Sequence, residues 1–345
     1  MVNNIISIVI PCRNEERYIE LCLDSLIEND FDHKELEIFV VDGMSVDGTK
    51  DLIKKYVNQY SFIKLLENPR GVTPVAMNLG IKQARGHYIM ILSSHSKVDS
   101  NFIKSNVESI EKYQSDCVGG TMLTLPANDS LLCRAIALAI SHPFGVGNSY
   151  FRIGSKSQKY VDTVPFGCYK REVFKKIGFF DEDLVRNQDD EFNLRLIKSG
   201  GKILLVPEII SYYHARDSLL KLWKMYNQYG YFKPLVAHKV GGVLTWRQTI
   251  PAVFVGALIT SGILSFITIS FQWIFLFIIL FYLFTNFTFS FLIGKKKGLT
   301  LFLMLPFIFP VIHVAYGLGY LKGIFDFTIL RKHRQKNLAD VPSTR

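Results

Sequence analysis

Charged residues are missing from one long stretch of this chain. Of its 345 residues, 40 are Lys or Arg and 30 are Asp or Glu, yet none of these occurs between Arg247 and Lys295. The stretch contains two apolar segments, 251–270 and 272–293, each near the roughly 20 residues that a membrane-spanning helix needs. Buried helices of soluble proteins rarely need such length twice in succession, so the pattern predicts a helical hairpin in a bilayer.

Paired cysteines and several common motifs are also absent. The five cysteines, at positions 12, 22, 117, 133 and 168, form neither a CxxC pair nor a zinc-ligand spacing, which predicts free thiols in a reducing compartment. The lack of GxGxxG and GxxxxGK[ST] argues against dinucleotide-dependent hydride transfer and against a P-loop enzyme. No HExxH or GxSxG occurs. Residues 1–10 have no basic start, so they do not resemble a signal peptide.

Positive charge is concentrated beside apolar segments. The net charge is +10, and its densest clusters are 295–297 and 331–336. Lys and Arg collect on the cytoplasmic side of membranes and attract anionic lipid, so we expect a lipid surface and no nucleic acid as the partner. A third apolar segment, 299–321, would leave one cluster outside if it crossed once. We therefore favour a segment that spans twice as short halves or stays at the interface.

Short apolar runs alternate with helical patterns over residues 5–115. Buried strands are predicted at 6–10, 37–41, 63–66 and 88–92, and the residues between them have helical apolar spacing. This order predicts an α/β fold whose mostly parallel sheet has helices on both faces, followed by membrane helices.

Polar residues follow three of these strands. They are Arg13-Asn14-Glu15, Asp42 and Ser93-Ser94-His95. Ligands of parallel sheets bind beyond the carboxyl ends of the strands. The sequence therefore predicts a binding site at this edge.

A series of motifs in this order resembles glycosyltransferase family 2, whose catalytic domain has the GT-A fold. The early motifs are Ile8–Glu16, Val40–Thr49 and Asn78–Gly86. The later motifs, Val161–Tyr169, Val185–Glu191 and Arg216–Leu219, are similar to succinoglycan-type glucosyltransferases, a branch that also carries C-terminal membrane segments. The resemblance covers about residues 5–240.

The resemblance implies a nucleotide-sugar donor held at the strand ends. It assigns the nucleoside to Asp42 and to four residues after the first strand, namely Pro11, Arg13, Asn14 and Glu15. A carboxylate such as Asp42 accepts hydrogen bonds from a uracil N–H or from ribose hydroxyls; its alternative role is to cap the turn before Gly43. Asp47 is interpreted as a helix cap.

The diphosphate region departs from the family pattern. GT-A enzymes place Asp-x-Asp after the fourth strand to hold Mg²⁺ or Mn²⁺, since hard cations prefer oxygen ligands. Here Ser93-Ser94-His95 occupies that place, which weakens the implied dependence on Mg²⁺ or Mn²⁺. His95 and His214 are the candidate metal ligands, or His95 donates to phosphate directly. Arg216 is a candidate phosphate ligand by bidentate pairing. A structural histidine and a solvated arginine are the alternatives.

The resemblance also implies an inverting reaction with one carboxylate as general base. Family members carry Glu-Asp where this chain has Gln188-Asp189, so the base is Asp189, with Asp190 as the second candidate. Acids at a helix start are also favoured by the helix dipole. Glu191 and Arg195 are spaced to form an ion pair along the helix. Gly167 is expected to let the backbone approach the acceptor sugar; its alternative role is an ordinary turn.

These inferences divide the chain into four parts. They are a cytoplasmic GT-A domain (1–217), an amphipathic interfacial helix (218–245), a membrane region (246–330) and a basic tail (331–345). We expect a multi-pass protein of the plasma membrane with a cytoplasmic catalytic domain.

The expected reaction moves one hexose, by resemblance glucose, from a UDP-sugar to a polyprenyl-linked saccharide, as in exopolysaccharide or capsule synthesis. No QxxRW motif is present, which favours a single transfer over a processive synthase. The alternatives are a sugar transferase for polyprenyl monophosphate and a non-catalytic subunit that binds a nucleotide-sugar. The second of these is motivated by Ser93 and Gln188, which stand where the family usually has acids.

Overall fold

A computed structural model describes residues 6–242 and 245–331 in two compact units. The first unit, the sheet unit, comprises the residues up to Leu123 together with Tyr150–Tyr213. The second, the helical unit, comprises Thr124–Ser149 and the residues from His214 onward. The predicted catalytic domain, 1–217, includes residues 124–149, which this division groups with the helical unit. Most of the predicted basic tail lies outside the described residues.

The described residues form nine strands, and the first four match the predicted ones. The strands are β1 (Ile6–Cys12), β2 (Leu36–Asp42), β3 (Ile63–Glu67), β4 (Tyr88–Ile91), β5 (Ser96–Val98), β6 (Cys117–Leu125), β7 (Lys159–Tyr160), β8 (Cys168–Lys170) and β9 (Ile203–His214).

The α-helices of the sheet unit are α1 (Ile19–Ile27), α2 (Thr49–Gln59), α3 (Thr73–Gln83), α4 (Phe102–Lys112), α7 (Tyr150–Ile153), α8 (Arg171–Ile177) and α9 (Gln188–Lys198). Those of the helical unit are α5 (Leu131–Ala139), α6 (Pro143–Val146), α10 (Leu219–Val240), α11 (Ile250–Leu264), α12 (Ile269–Lys297), α13 (Leu299–Phe302) and α14 (Leu305–Ile324). Short 3₁₀ turns occur at His33–Glu35 and Trp246–Gln248, and a π turn, Phe325–Ile329, extends α14.

The sheet is mixed, with its parallel strands grouped at one side. The strand order is β3-β2-β1-β4-β8-β6-β9-β5, and β7 pairs with β9. β3, β2, β1 and β4 are parallel neighbours, whereas β8 joins β4 in the antiparallel direction. The predicted α/β fold is confirmed, and the parallel arrangement holds for this first half.

Helices cover both faces of the parallel half. Ile8 and Ile10 of β1 belong to one apolar cluster, which includes residues of α1, α2 and α4. Val9 belongs to the opposite cluster, together with residues of α3, α8 and α9. Because both faces are buried, β1 is apolar at nearly every position, as is typical of parallel strands.

A buried carboxylate fastens the amino ends of these strands. Glu37 at the start of β2 accepts hydrogen bonds from the Ser7 hydroxyl and the Arg85 N–H, both at 2.6 Å. Gly86 N–H in turn donates to the Ser7 hydroxyl at 2.8 Å. Burial by itself would raise the pKa of Glu37, but the hydrogen bonds from Ser7 and Arg85 outweigh it and lower the pKa. This end of the sheet is therefore closed by structural contacts.

Three helices of the helical unit are long and apolar enough to cross a membrane. They are 246–264, 269–297 and 305–329. The predicted break near Phe271 lies instead at 265–268. The third segment is one helix that continues through Pro310, so the expectation of two short spanning halves is wrong. It differs from the other two in burial, since 44% of its most apolar window is buried against 17% in each of them.

Helices α10 and α14 pack along each other through glycines. A Cβ added to Gly319 would lie 2.1 Å from the Asn227 carbonyl oxygen, and one added to Gly230 would lie 2.1 Å from that of Tyr316. Asn227 Nδ2 also donates to the Ala315 carbonyl at 3.1 Å. Such small residues let two helix backbones approach closely. The predicted amphipathic helix therefore buries one face against the third apolar helix.

The inserted segment 124–149 also packs within the helical unit. His313 Nε2 lies 2.7 Å from the Phe144 carbonyl oxygen, and the Tyr282 hydroxyl lies 2.9 Å from His313 Nδ1. Because a carbonyl oxygen only accepts, Nε2 carries the proton and Nδ1 accepts from Tyr282. The Phe144 ring stacks on Phe289 with centroids 4.8 Å apart. These contacts join α6 to α12 and α14.

Candidate active site

The ends of β1 and β2 form one hydrogen-bonded corner. The Asn14 N–H donates to the Ser45 hydroxyl at 2.9 Å, and Asn14 Oδ1 accepts from the Val46 N–H at 2.9 Å. Asp42, 1% exposed, accepts from the Ser45 hydroxyl at 2.5 Å and from the Ser45 N–H at 3.1 Å. The Asp42 carboxylate therefore stabilises the turn from Asp42 to Ser45. Each of its oxygens can accept a further hydrogen bond from a ligand.

Helix α2 is joined to the same corner by Thr49. The Glu15 N–H donates to Thr49 Oγ1 at 2.8 Å. Asp47 accepts from the Thr49 N–H at 3.1 Å and from its hydroxyl at 2.5 Å. Asp47 precedes Gly48, the N-cap residue of α2, and its carboxylate satisfies the N–H of Thr49 in the first turn.

Arg13 extends this corner toward the loop after β3. Its Nη1 donates to the Gly71 carbonyl at 3.2 Å, and its side chain is exposed. The loop itself is held by the Asn68 N–H, which donates to the Asp42 carbonyl at 2.8 Å. The Arg13 side chain thus runs from Gly43, which follows Asp42, to the loop at Gly71. Pro11, also a predicted donor residue, is half-buried near the end of β1.

The segment after β4 is brought against Glu15. His95 Nδ1 lies 3.4 Å from Glu15 Oε1 and 2.8 Å from Ser93 Oγ. Ser94 is buried beside Cys12. Burial, and then the charges of Glu15 and Asp42, raise the pKa of the Cys12 thiol. The structure therefore gathers the three predicted strand ends at one edge of the sheet.

The described residues do not supply a ligand set for a divalent cation. No group of three or more His, Cys, Asp or Glu side chains in residues 6–242 and 245–331 is arranged to hold a metal. At the position after β4, the donors are the hydroxyls of Ser93 and Ser94 and the imidazole of His95. Hard cations prefer several oxygen ligands, carboxylates among them. These three residues, which include no carboxylate, therefore do not match the ligands that Mg²⁺ or Mn²⁺ prefers.

The predicted base helix, α9, is held by buried aromatic packing and has acids in its first turn. Phe192 is fully buried and stacks on Phe180 with centroids 4.4 Å apart. Glu191 pairs with Arg195 through two contacts of 2.8 Å, as the spacing predicted. Glu191 is thus committed to Arg195, whereas Asp189 is exposed and Asp190 is half-buried at the start of the helix.

Helix α9 is tied to β8 by a buried polar chain. The Tyr169 hydroxyl donates to Asn193 Oδ1 at 2.8 Å, and Asn193 Nδ2 donates to Thr163 Oγ1 at 2.9 Å. Burial, followed by the charges of Cys117 and Asp189, raises the pKa of Tyr169. Tyr169, on the strand that pairs with β4, is thus connected to helix α9 by hydrogen bonds. These buried hydrogen bonds were not predicted from the sequence.

Gly167 lies where β8 meets β4. Its carbonyl accepts from the Ile91 N–H at 3.3 Å. A Cβ added at Gly167 would lie 2.8 Å from Cys117 Sγ and 2.9 Å from the Tyr169 ring, so internal packing already requires glycine here. Its predicted contact with an acceptor sugar stays a prediction.

Unusual backbone conformations mark the edges of this site. Four residues other than glycine have positive φ in its loops, and the values lie between 50° and 61°. They are Asn14, Met44, Phe166 and Asn187. Side chains other than glycine adopt this region at a cost, and such residues cluster at functional sites. This concentration favours a functional role for the sheet edge.

The two late candidates lie in the helical unit. His214 is the last residue of β9, and Arg216 follows two residues later. Arg216 Nε is buried and has no hydrogen-bond partner among the residues that the structure describes. Its assignment as a phosphate ligand and that of His214 as a metal ligand stay predictions.

Sequence reasoning missed one arginine of the sheet unit. Arg152 of α7 places its guanidinium over the Tyr213 ring, 5.3 Å from the centroid, and Tyr213 in turn faces His95 with centroids 6.1 Å apart. The signal available in the sequence was weak, since Arg152 lies outside every motif of the resemblance. The two aromatic residues directly before it, Tyr150 and Phe151, were its one local distinguishing feature.

Comparison with known proteins decides the family. The model of glycosyl transferase family 2 matches residues 7–178. A dolichyl N-acetyl-α-D-glucosaminyl phosphate 3-β-D-2,3-diacetamido-2,3-dideoxy-β-D-glucuronosyltransferase of Methanococcus voltae is 33% identical over 275 residues, which are 77% of this chain and 84% of the relative. The chain belongs to glycosyltransferase family 2. The present chain is also 27% identical over 225 residues to the succinoglycan biosynthesis protein ExoA of Rhizobium meliloti. The match covers 65% of this chain and 67% of ExoA.

Solved structures confirm the predicted GT-A fold. Residues 1–349 of Staphylococcus aureus TarS in complex with UDP-GlcNAc align with a TM-score of 0.52 at 19% identity, covering 96% of the transferase and 92% of that chain. The Pyrobaculum calidifontis mannosyltransferase PcManGT, in complex with GDP-mannose and Mn²⁺, aligns with a TM-score of 0.57 at 15% identity, covering 93% and 87%. At these identities the likeness concerns the fold.

Proposed function

We propose that this transferase moves one sugar from a UDP-sugar to a lipid-linked saccharide with inversion at the anomeric carbon. The observation that carries the proposal is the sheet edge that gathers Asp42, Glu15 and His95. This edge includes the end of β4, and β4 pairs with β8, the strand that is hydrogen-bonded to α9. A donor and a general base need to meet at such an edge. The 33% identical relative supports the choice of acceptor, because its name describes transfer to a dolichyl-phosphate-linked sugar.

The strand-end residues are assigned to the donor. Asp42 accepts from the base or ribose, while Pro11, Arg13, Asn14 and Glu15 line the nucleoside. Ser93, Ser94 and His95 lie next to the diphosphate, and Arg216 is the further phosphate ligand. The exposed guanidinium of Arg13 and the spare accepting capacity of Asp42 support this assignment.

Asp189 is assigned as the general base. It takes the proton of the acceptor hydroxyl while that oxygen attacks the anomeric carbon and the bond to the diphosphate oxygen breaks. Its exposure supports the role, since a base must reach the acceptor, and the pairing of Glu191 with Arg195 removes the third acid of the helix start from consideration. Asp190 remains the second candidate, and Gly167 is assigned to the acceptor side.

The membrane arrangement that we favour is a hairpin of α11 and α12, with α10 and α14 lying at the cytoplasmic interface. The larger buried share of α14 and its packing along α10 support this arrangement. A two-span hairpin leaves both basic clusters, 295–297 and 331–336, on the cytoplasmic side, in agreement with the distribution of Lys and Arg in membrane proteins. The catalytic domain is then cytoplasmic, beside lipid-borne acceptors.

The test is product analysis with membranes that contain the transferase. They are incubated with lipid extract and radiolabelled UDP-glucose, UDP-GlcNAc, UDP-glucuronate or GDP-mannose, and the labelled lipid is identified. We expect label from a UDP-sugar in an extended lipid-linked glycan, with UDP-glucose favoured by the succinoglycan resemblance. A labelled monophosphate-sugar lipid would support the polyprenyl-monophosphate alternative. Binding of donor without transfer to any lipid would support a non-catalytic subunit instead.

A further inference from the structure

Arg152 carries a guanidinium held by aromatic rings. Its Cζ lies 5.4 Å from the Phe151 ring centroid and 5.3 Å from that of Tyr213. Stacking on aromatic faces is favourable for guanidinium, and it leaves the N–H groups at the edge of the plane free to point elsewhere. The stacked position therefore orients Arg152 without consuming its donors.

One of those donors lacks an acceptor. Arg152 Nη1 is buried and has no hydrogen-bond partner among the described residues. A buried cationic donor without an acceptor is costly, and native structures rarely keep one without a reason. An anionic ligand would satisfy it, and phosphate oxygens match the forked geometry of guanidinium.

The position of Arg152 connects it to the end of β4. Tyr213 is paired in register with Ser96, one residue after His95, and its ring faces the His95 ring at 6.1 Å. Arg152 thus contacts the same tyrosine that His95 contacts. This is the place where family members present carboxylates for a metal ion and where this chain has Ser93-Ser94-His95.

We infer that Arg152 provides the positive charge that stabilises the diphosphate leaving group, in place of a divalent cation. The inference rests on the proposed function, because it needs a nucleoside diphosphate at this edge. As the bond from the anomeric carbon to the diphosphate oxygen breaks, its electron pair stays on that oxygen, and the guanidinium donates hydrogen bonds to it. Arg152 remains protonated throughout, and the acceptor proton goes to Asp189. The stabilisation of this negative charge by the guanidinium is largest in a site shielded from water.

The test measures binding of UDP, GDP and uridine to the full chain in detergent by calorimetry, each with EDTA and with Mn²⁺. The variants are Arg152→Met and Arg152→Lys. The matched control is Lys159→Met, because Lys159 is also a cation stacked on an aromatic ring of this region, 3.6 Å from the Tyr150 centroid. Thermal unfolding of each variant shows whether it is folded.

We expect wild-type protein to bind UDP equally well with EDTA and with Mn²⁺. Arg152→Met should weaken UDP binding by about 10- to 100-fold, the range for loss of a charge-assisted hydrogen bond, and leave uridine binding unchanged. The UDP affinity of Arg152→Lys should lie between those of the wild type and Arg152→Met. The UDP affinity of Lys159→Met should equal that of the wild type.

Two results overturn the inference alone. One is wild-type affinity for UDP in a folded Arg152→Met protein, and the other is binding of UDP by the wild type only when Mn²⁺ is present. If the wild type binds neither UDP nor GDP under any condition, the proposed function falls together with the inference. If Arg152→Met does not fold, the Arg152→Lys protein decides: the inference requires it to bind UDP more weakly than the wild type, and equal affinity refutes it.

Discussion

Replacing Asp189 by Asn provides the most direct test of the proposed chemistry. The change keeps the shape of the side chain and removes its ability to accept a proton. A positioned general base contributes about 10²- to 10⁴-fold to a reaction rate, so kcat should fall by that factor. Each tenfold is about 1.4 kcal/mol, which places the loss at roughly 3–5 kcal/mol in activation free energy.

The structure predicts that this loss is separable from unfolding. Asp189 is exposed at the start of α9, where a negative charge stabilises the helix by only about 0.3–1 kcal/mol. Asp190→Asn removes a charge from the same turn and serves as the matched control. Glu191→Gln removes the charge that pairs with Arg195 and should instead cost about 1–3 kcal/mol of folding free energy.

The assay combines transfer from radiolabelled donor, UDP affinity and thermal unfolding for the three variants. We expect Asp189→Asn to lose turnover while it keeps donor affinity and unfolding temperature. Asp190→Asn should keep all three, and Glu191→Gln should lose mainly unfolding temperature. Substantial turnover in Asp189→Asn, or its selective loss in Asp190→Asn, would refute the assignment of the base.

Three further predictions concern the scaffold. Glu37→Ala should cost about 1–3 kcal/mol of folding free energy at pH 7, measured by denaturant unfolding, because the buried Ser7 hydroxyl loses its acceptor. Because the folded pKa of Glu37 is lowered, the ionic part of this contribution is present above about pH 4.5 and is lost as the pH falls below it. Gly319→Val should lower the unfolding temperature in detergent, whereas Gly256→Ala, whose Cβ meets nothing nearer than 3.9 Å, should leave it unchanged. Asn193→Ala should cost about 1–3 kcal/mol of stability by leaving the Tyr169 hydroxyl unsatisfied, with Tyr169→Phe in the same background restoring part of the loss.

Sequence patterns predicted the parallel half of the fold because local spacing determines it. The apolar runs that became β1 and β2, and the polar residues after them, were visible without knowledge of distant contacts. The i, i+4 spacing of Glu191 and Arg195 likewise predicted an ion pair that the structure contains. Such features depend on periodicity within one element.

Features that depend on distant contacts were not predicted. Segment 299–321 was expected to span as two short halves or to stay at the interface, but residues 305–324 form one helix that packs along α10. Such tertiary contacts stabilise a helix through an internal proline. Residues 124–149 have an ordinary helical pattern, and nothing local shows that Phe144 packs on Phe289. Arg152 is brought near His95 by Tyr213, which is distant from it in sequence.

The chain passes between its two units three times, near residues 123, 149 and 213. Cutting the protein after residue 217 would therefore not yield a clean soluble enzyme. Residues 124–149 would remain and would lose their packing partners, and the buried face of Ala135, Ile136 and Ala139 would become exposed to water. Soluble versions for crystallisation or screening need that insertion shortened or its apolar face redesigned, in addition to removal of the C-terminal helices.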